Sequence, residues 1–136
     1  MQIETGKKQE PLKVIIYGPE GVGKSSLAAQ FPKPVFVDIE SGTAQLDVAR
    51  TPKPTSWSML RGIVEELTKN TQGFQTLVID SADWADRLAI DEICAKANKA
   101  GIEDFAYGKG WQNLADEWKI FSSRRRHTRS LCDWSS

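Results

Sequence analysis

Eight residues near the start of the chain have the types and spacing of a phosphate cradle. Gly18-Pro19-Glu20-Gly21-Val22-Gly23-Lys24-Ser25 fits the pattern G-x-x-x-x-G-K-[ST]. The glycines let the backbone curl until several N–H groups point inward at phosphate oxygens. A helix opening near Lys24 adds its positive end. Lys24 is then expected to reach the β- and γ-phosphates, and the Ser25 hydroxyl to join a magnesium shell. Ser26 is placed to donate to the α-phosphate. The expected ligand is a nucleoside triphosphate with Mg²⁺. The chain has no N-K-x-D segment of the kind that reads guanine, which tilts the base to adenine and the ligand to ATP.

Two carboxylates stand where such a ligand would need them. Leu77-Val78-Ile79-Asp80 is an apolar run ending in an acid, so Asp80 is expected to hold magnesium beside Ser25, mostly through water. The plainer role for Asp80 is to cap the helix that follows. Glu40 comes just after a second apolar run, Val35-Phe36-Val37-Asp38. Ligands gather at the C-terminal ends of strands in open α/β sheets. A carboxylate there can orient and deprotonate an attacking water, which makes Glu40 the candidate general base beside the catalytic Lys24. A solvated loop acid is the alternative for Glu40. Asp38 is read as satisfying backbone donors in its own turn and is given no chemistry.

These residues need a scaffold, and the hydrophobic pattern supplies one. Residues 12–17 (LKVIIY) read as a buried strand, the kind found in parallel sheets. Residues 24–31 read as a helix stopped by Pro32 and Pro34. Residues 35–38 and 76–79 are further strands. Ser56 is a plausible N-cap for a helix to about Lys69, with Trp57, Leu60, Ile63, Val64 and Leu67 on one stripe. A helix is expected over 82–100, with Gly101 as its stop. Residues 107–110 read as a loop. Trp111, Leu114, Trp118 and Phe121 then recur at helical spacing. Strands alternating with helices imply an α/β fold with a mostly parallel sheet.

The bulk numbers agree. At 136 residues the chain holds one domain, and its 40% hydrophobic content is ordinary for a globular protein. No apolar run approaches the length of a membrane span. Residues 1–11 read as a flexible lead-in without signal-peptide character, which points to the cytoplasm. Cys94 and Cys132 lack any metal-ligand spacing. The zero net charge hides an asymmetry: residues 1–121 hold 14 basic and 17 acidic side chains, a net charge of about −3. The body therefore lacks the basic footprint of a stand-alone nucleic-acid binder.

At GPEGVGKSS, VFVDIESGTAQLD and TLVIDSADW the chain resembles the RecA-like P-loop ATPases. It is most similar to the small phage-encoded nucleotide-binding ATPases of that class, implicated in DNA recombination and single-strand annealing. The likeness covers about residues 12–121 and includes the weaker marker Tyr107-Gly108-Lys109-Gly110-Trp111. It implies a catalytic glutamate after the strand that follows the P-loop helix, which is the position of Glu40. It also implies that Asp80-Ser81 is the aspartate-serine pair of the Walker B strand. Single-stranded DNA, a phage or host recombination protein and further copies of the chain are the partners it implies. Such proteins continue past Phe121 into a further core strand, lying between the P-loop strand and the Walker B strand. Residues 122–136 are too polar and basic to serve as that strand. They are similar to translated sequencing-adapter read-through, the other possibility being a basic nucleic-acid-binding tail. The partial domain is therefore expected to be a poor ATPase and poorly folded.

Two other functions compete. A small-molecule or nucleotide kinase shares the P-loop, but needs an arginine-bearing lid, and before the tail only Arg50, Arg61 and Arg87 are available. A nucleotide-gated binding module would hydrolyse little ATP. Lys109 could reach a neighbouring nucleotide or a DNA phosphate, against the plainer role of a solvated loop lysine. Helical spacing assigns Trp57, Trp111 and Trp118 to the core rather than to base stacking. Trp84 is open between the two. His127 has no role.

Overall fold

The computed structural model describes residues 1–6, 12–123 and 129–135, the last segment through its backbone alone. In chain order it runs β1 (Lys13–Gly18), α1 (Lys24–Ala28), β2 (Pro34–Asp38), β3 (Ala49–Arg50), α2 (Trp57–Lys69), β4 (Thr76–Asp80) and α3 (Ala82–Ala97). Two short 3₁₀ turns follow, Ile102–Asp104 and Ala106–Gly108, then α4 (Lys109–Ser123) and β5 (Arg129–Ser135). The strands form one parallel sheet in the order β1-β5-β4-β2-β3.

The strand between β1 and β4 overturns the expectation that nothing in residues 122–136 could fill that gap. Lys13 pairs with Ser130 on one side and Leu77 pairs with the same residue on the other. A central position asks first for backbone donors and acceptors on both edges, and seven extended residues provide them. The basic charge of the tail lies mostly ahead of that strand. Arg124, Arg125 and Arg126 precede the strand, and Arg129 opens it. His127 and those three arginines lie outside the described residues.

β1 also departs from expectation. It reads as a buried strand, yet it stands at one end of the strand order. Val14 and Ile16 pack with Ala28, Phe36 and Val78 beneath α1. The alternate residues Ile15 and Tyr17 are 62% and 79% exposed. The helices over the other face cover the central strands, and an end strand lies outside their shelter.

That other face holds the main core. Val35, Val37, Leu77 and Ile79 meet Trp57, Leu60 and Val64 of α2, Ala85 and Ala89 of α3, and Leu114 and Phe121 of α4. Ser56 caps α2 as expected, its hydroxyl accepting from the Met59 N–H at 3.1 Å. Trp57, Trp118 and Phe121 form an aromatic cluster with ring centroids 5.0–5.5 Å apart. Their indoles donate outward, Trp57 to Glu117 at 2.9 Å and Trp118 to Asp86 at 2.7 Å.

Three helix details differ. α3 ends at Ala97, because Asn98 takes the left-handed position (φ 54°, ψ 44°) expected of Gly101. α4 begins at Lys109, inside the expected loop, and Lys109 is exposed. Its buried stripe starts at Gly110, where an added Cβ would lie 2.5 Å from the Ile102 carbonyl oxygen. Trp111, one position on, is turned about 100° away and is 51% exposed, so it is not a core residue. Among the described residues no helix is long and apolar enough to cross a membrane.

Candidate functional site

The site residues collect at the C-terminal ends of β1, β2 and β4. β1 delivers Gly18, and the loop from Pro19 to Gly23 leads straight into α1. Gly21 (φ 77°) and Gly23 (φ 96°) occupy the left-handed region, where a side chain would be strained. Those two positions explain why the curl needs glycine. The regular part of α1 spans only five residues. The positive end expected of a longer helix is therefore small, and the loop's own N–H groups carry the anion-binding character.

Lys24 folds back over the loop. Its ammonium donates to the carbonyl oxygens of Gly18 at 2.9 Å and Pro19 at 3.1 Å. The charge is thus held at the mouth of the loop on neutral acceptors. Ser25, the next residue, donates its hydroxyl to Asp80 Oδ2 at 2.5 Å. That bond spans 55 positions of sequence and joins the P-loop to the end of β4. Asp80 is 5% exposed. Glu20, Val22 and Ser26 are exposed on the loop and its helix.

The end of β2 is tied to the same point. The Ile39 N–H donates to the Asp80 carbonyl at 2.7 Å, and the Glu40 N–H approaches that oxygen at 3.4 Å. Glu40 itself is exposed. Ser25 and Asp80 are joined by a hydrogen bond, the Lys24 ammonium is held separately on the loop carbonyls of Gly18 and Pro19, and Glu40 is placed next to Asp80 through its backbone.

Asp38 does what its sequence suggested, with more partners. Its carboxylate accepts from the N–H groups of Ser41 at 2.7 Å, Gly42 at 3.2 Å and Thr43 at 3.0 Å, and from the Thr43 hydroxyl at 2.5 Å. Burial alone would raise its pKa, but the bonds from Thr43, Ser41 and Gly42 outweigh it and hold the group below its ordinary value. Sequence reasoning missed the next layer. Thr43 is fully buried and accepts from Arg50 Nε at 2.8 Å. The Arg50 guanidinium also donates to the carbonyls of Thr43, Leu46 and Val48. Asp38, Thr43 and Arg50 thus lock the turn that carries Glu40. The one available signal was an aspartate followed by Ser-Gly-Thr, a run suited to turning back on a carboxylate.

The donor set fits a magnesium–phosphate group. Asp80 and Ser25 offer hard oxygens, and Lys24 offers a point charge. Among the described residues no cluster of three or more His, Cys, Asp or Glu could hold a metal unaided. Magnesium commonly uses one or two carboxylates, with phosphates and water completing its shell. When bound, it would neutralise phosphate charge there.

Residues 10–130 match a family described as an AAA domain. The chain is also similar to an uncharacterized protein, YorG, derived from the SPbeta prophage of Bacillus subtilis (strain 168). The two are 25% identical over 109 residues, which is 76% of this chain and 34% of that protein. The chain thus spans about a third of the length of that relative.

Proposed function

Because the chain belongs to the AAA-domain family of P-loop ATPases, we propose that it binds ATP with magnesium and hydrolyses it in the RecA-like manner. The observation that carries this reading is the Ser25–Asp80 hydrogen bond, which brings the two expected magnesium-holding oxygens to 2.5 Å. In this reading the loop from Gly18 to Ser26 encloses the phosphates, with N–H groups from every residue but Pro19, which has none. Lys24 leaves the carbonyls of Gly18 and Pro19 for the β- and γ-phosphate oxygens. Glu40 accepts the proton of the attacking water, held by the Asp38 turn.

The work served is phage DNA recombination or single-strand annealing. The motifs resemble ATPases of that kind, and the similar Bacillus protein is prophage-derived. Single-stranded DNA and further copies of the chain are the partners this predicts. The test is ATP binding and turnover with and without single-stranded DNA. Lys24→Ala should lower ATP affinity at least a hundredfold, on the scale of a lost charge-assisted contact with phosphate (about 3 kcal/mol). Unchanged affinity would sink the P-loop assignment. Turnover indifferent to DNA would remove the DNA role and leave the ATPase.

A further inference from the structure

Lys53 belongs to neither the phosphate loop nor the Asp38 network, yet it reaches the turn that carries Glu40. Its ammonium donates to the Ser41 hydroxyl at 2.7 Å, across 12 positions of sequence. Ser41 directly follows Glu40 and sits at φ 71°, a left-handed conformation uncommon for serine. A residue in that conformation persists only where its surroundings hold it. The inner support is the Asp38 carboxylate, which accepts the Ser41 N–H at 2.7 Å. The outer support is Lys53. Glu40 has a looser hold of its own, a backbone N–H 3.4 Å from the Asp80 carbonyl oxygen.

The residues around Lys53 explain how an exposed lysine can serve as a support. A lysine ammonium rides on a flexible four-carbon stem, so its usefulness as an anchor depends on where the stem starts. Here the start is fixed on both sides. Pro52 and Pro54 flank Lys53, each with φ locked by its ring, and a residue before proline is pushed to extended geometry. Pro54 is buried. The Thr51 N–H donates to the Phe36 carbonyl of β2 at 2.9 Å. The ammonium therefore leaves from a braced segment and ends on the Ser41 hydroxyl. An exposed bond of this kind adds little to stability. Its consequence is geometric: it fixes which way the turn faces.

We propose that Lys53 is a positioning residue for the water-activating carboxylate: through the Ser41 hydroxyl it sets the direction from which Glu40 meets the attacking water. This rests on the reading of Glu40 as general base. The phosphates are held by the loop and Lys24, so nucleotide affinity lies outside the reach of Lys53. A base displaced by about an ångström leaves binding intact and slows proton transfer.

The split between turnover and affinity separates this role from a structural one. In steady-state ATP turnover by the full chain with Mg²⁺, Lys53→Met keeps the length and removes the donor. It should lower kcat about tenfold, the scale of one lost charge-assisted hydrogen bond. KM and the affinity for the non-hydrolysable analogue adenylyl imidodiphosphate should stay at wild type. Lys53→Arg should recover most of the turnover. Ser41→Ala removes the other half of the bond and should match Lys53→Met, and the two together should be no slower than either alone. In the Glu40→Gln background Lys53→Met should cost nothing further, since no base remains to be positioned. A structural role would move affinity, melting temperature and turnover together, and would add its full loss to that of Glu40→Gln; either result overturns the proposal. Full turnover in Lys53→Met alongside a slow Glu40→Gln would overturn this role alone. A wild-type chain without ATP turnover, or with turnover indifferent to Glu40→Gln, would overturn the base assignment and this role together.

Discussion

β2 and β4 end on the same residue in the same register: Asp38 lies directly beside Asp80. Both are nearly buried, at 9% and 5% exposure. Their uses nevertheless diverge. Asp38 is saturated by Ser41, Gly42 and Thr43. Asp80 takes, among the described residues, a single side-chain donor, Ser25. The cause is the backbone that follows each. After Asp38 the chain reverses, with Ser41 at φ 71°, and wraps its N–H groups around the carboxylate. After Asp80, α3 starts within two residues and its N–H groups run into the helix. One aspartate is consumed in building a turn. The other keeps capacity for an incoming ligand. Residue type and strand-end position are shared, so neither decides function; the next five residues do.

The sharpest way to break the comparison is through what the saturated side carries. If the Asp38 turn exists to hold Glu40, then Glu40→Gln should slow ATP hydrolysis by roughly 10²–10⁴-fold, the scale of a general base. Affinity for ATP and thermal stability should stay near wild type, because Glu40 is exposed. Unchanged turnover would assign the water-activating role to another group.

The open side comes next. Asp80→Asn preserves shape but removes the charge facing Ser25. Mg²⁺-dependent nucleotide affinity should fall by roughly 10–100-fold, the usual loss when a residue supporting a metal is altered. Binding without Mg²⁺ should change little. Equal loss in both conditions would mean that Asp80 serves the loop's structure and not a metal.

Much of this was legible in sequence because short-range chemistry dictated it. The curl at Gly21 and Gly23, the cap at Ser56 and the strand-end aspartates each follow from a few neighbouring residues. What was not legible depended on distant parts of the chain. That β1 ends up at the sheet's end, with Ile15 and Tyr17 exposed, depends on which elements cover it. That residues 129–135 pair between β1 and β4 depends on a vacancy between strands 117 and 53 positions upstream, invisible to composition. Trp111 was misplaced by one step because Gly110, without a side chain, is silent in a hydrophobic pattern yet marks the closest approach of α4 to Ile102. Thr43 and Arg50 escaped notice because their value lies in each other and in Asp38.

The smallest expected effect tests the saturated aspartate itself. Asp38→Asn offers one acceptor oxygen and an amide group in place of a carboxylate receiving four hydrogen bonds. Whichever way the amide turns, two of those donors would face a nitrogen: both from Thr43, or the N–H groups of Ser41 and Gly42. At pH 7 the folded state should lose about 1–3 kcal/mol in urea unfolding, the cost of leaving a buried donor unsatisfied. The loss should depend on pH, and its direction follows from the wild-type titration. Burial works to raise the Asp38 pKa, but the bonds from Thr43, Ser41 and Gly42 bring it below its ordinary value of 3.8. Around that value the unfolded chain therefore binds more protons than the folded one, and stability rises with pH. The contribution of Asp38 is fully present above its unfolded pKa and is lost as pH falls through the lower folded value. Asparagine does not titrate, so the difference between wild type and variant should narrow as pH drops below about 4. A difference that stays the same size as pH falls well below that range would mean that the turn is held by shape and by Arg50, and that the charge on Asp38 contributes nothing to the contrast with Asp80.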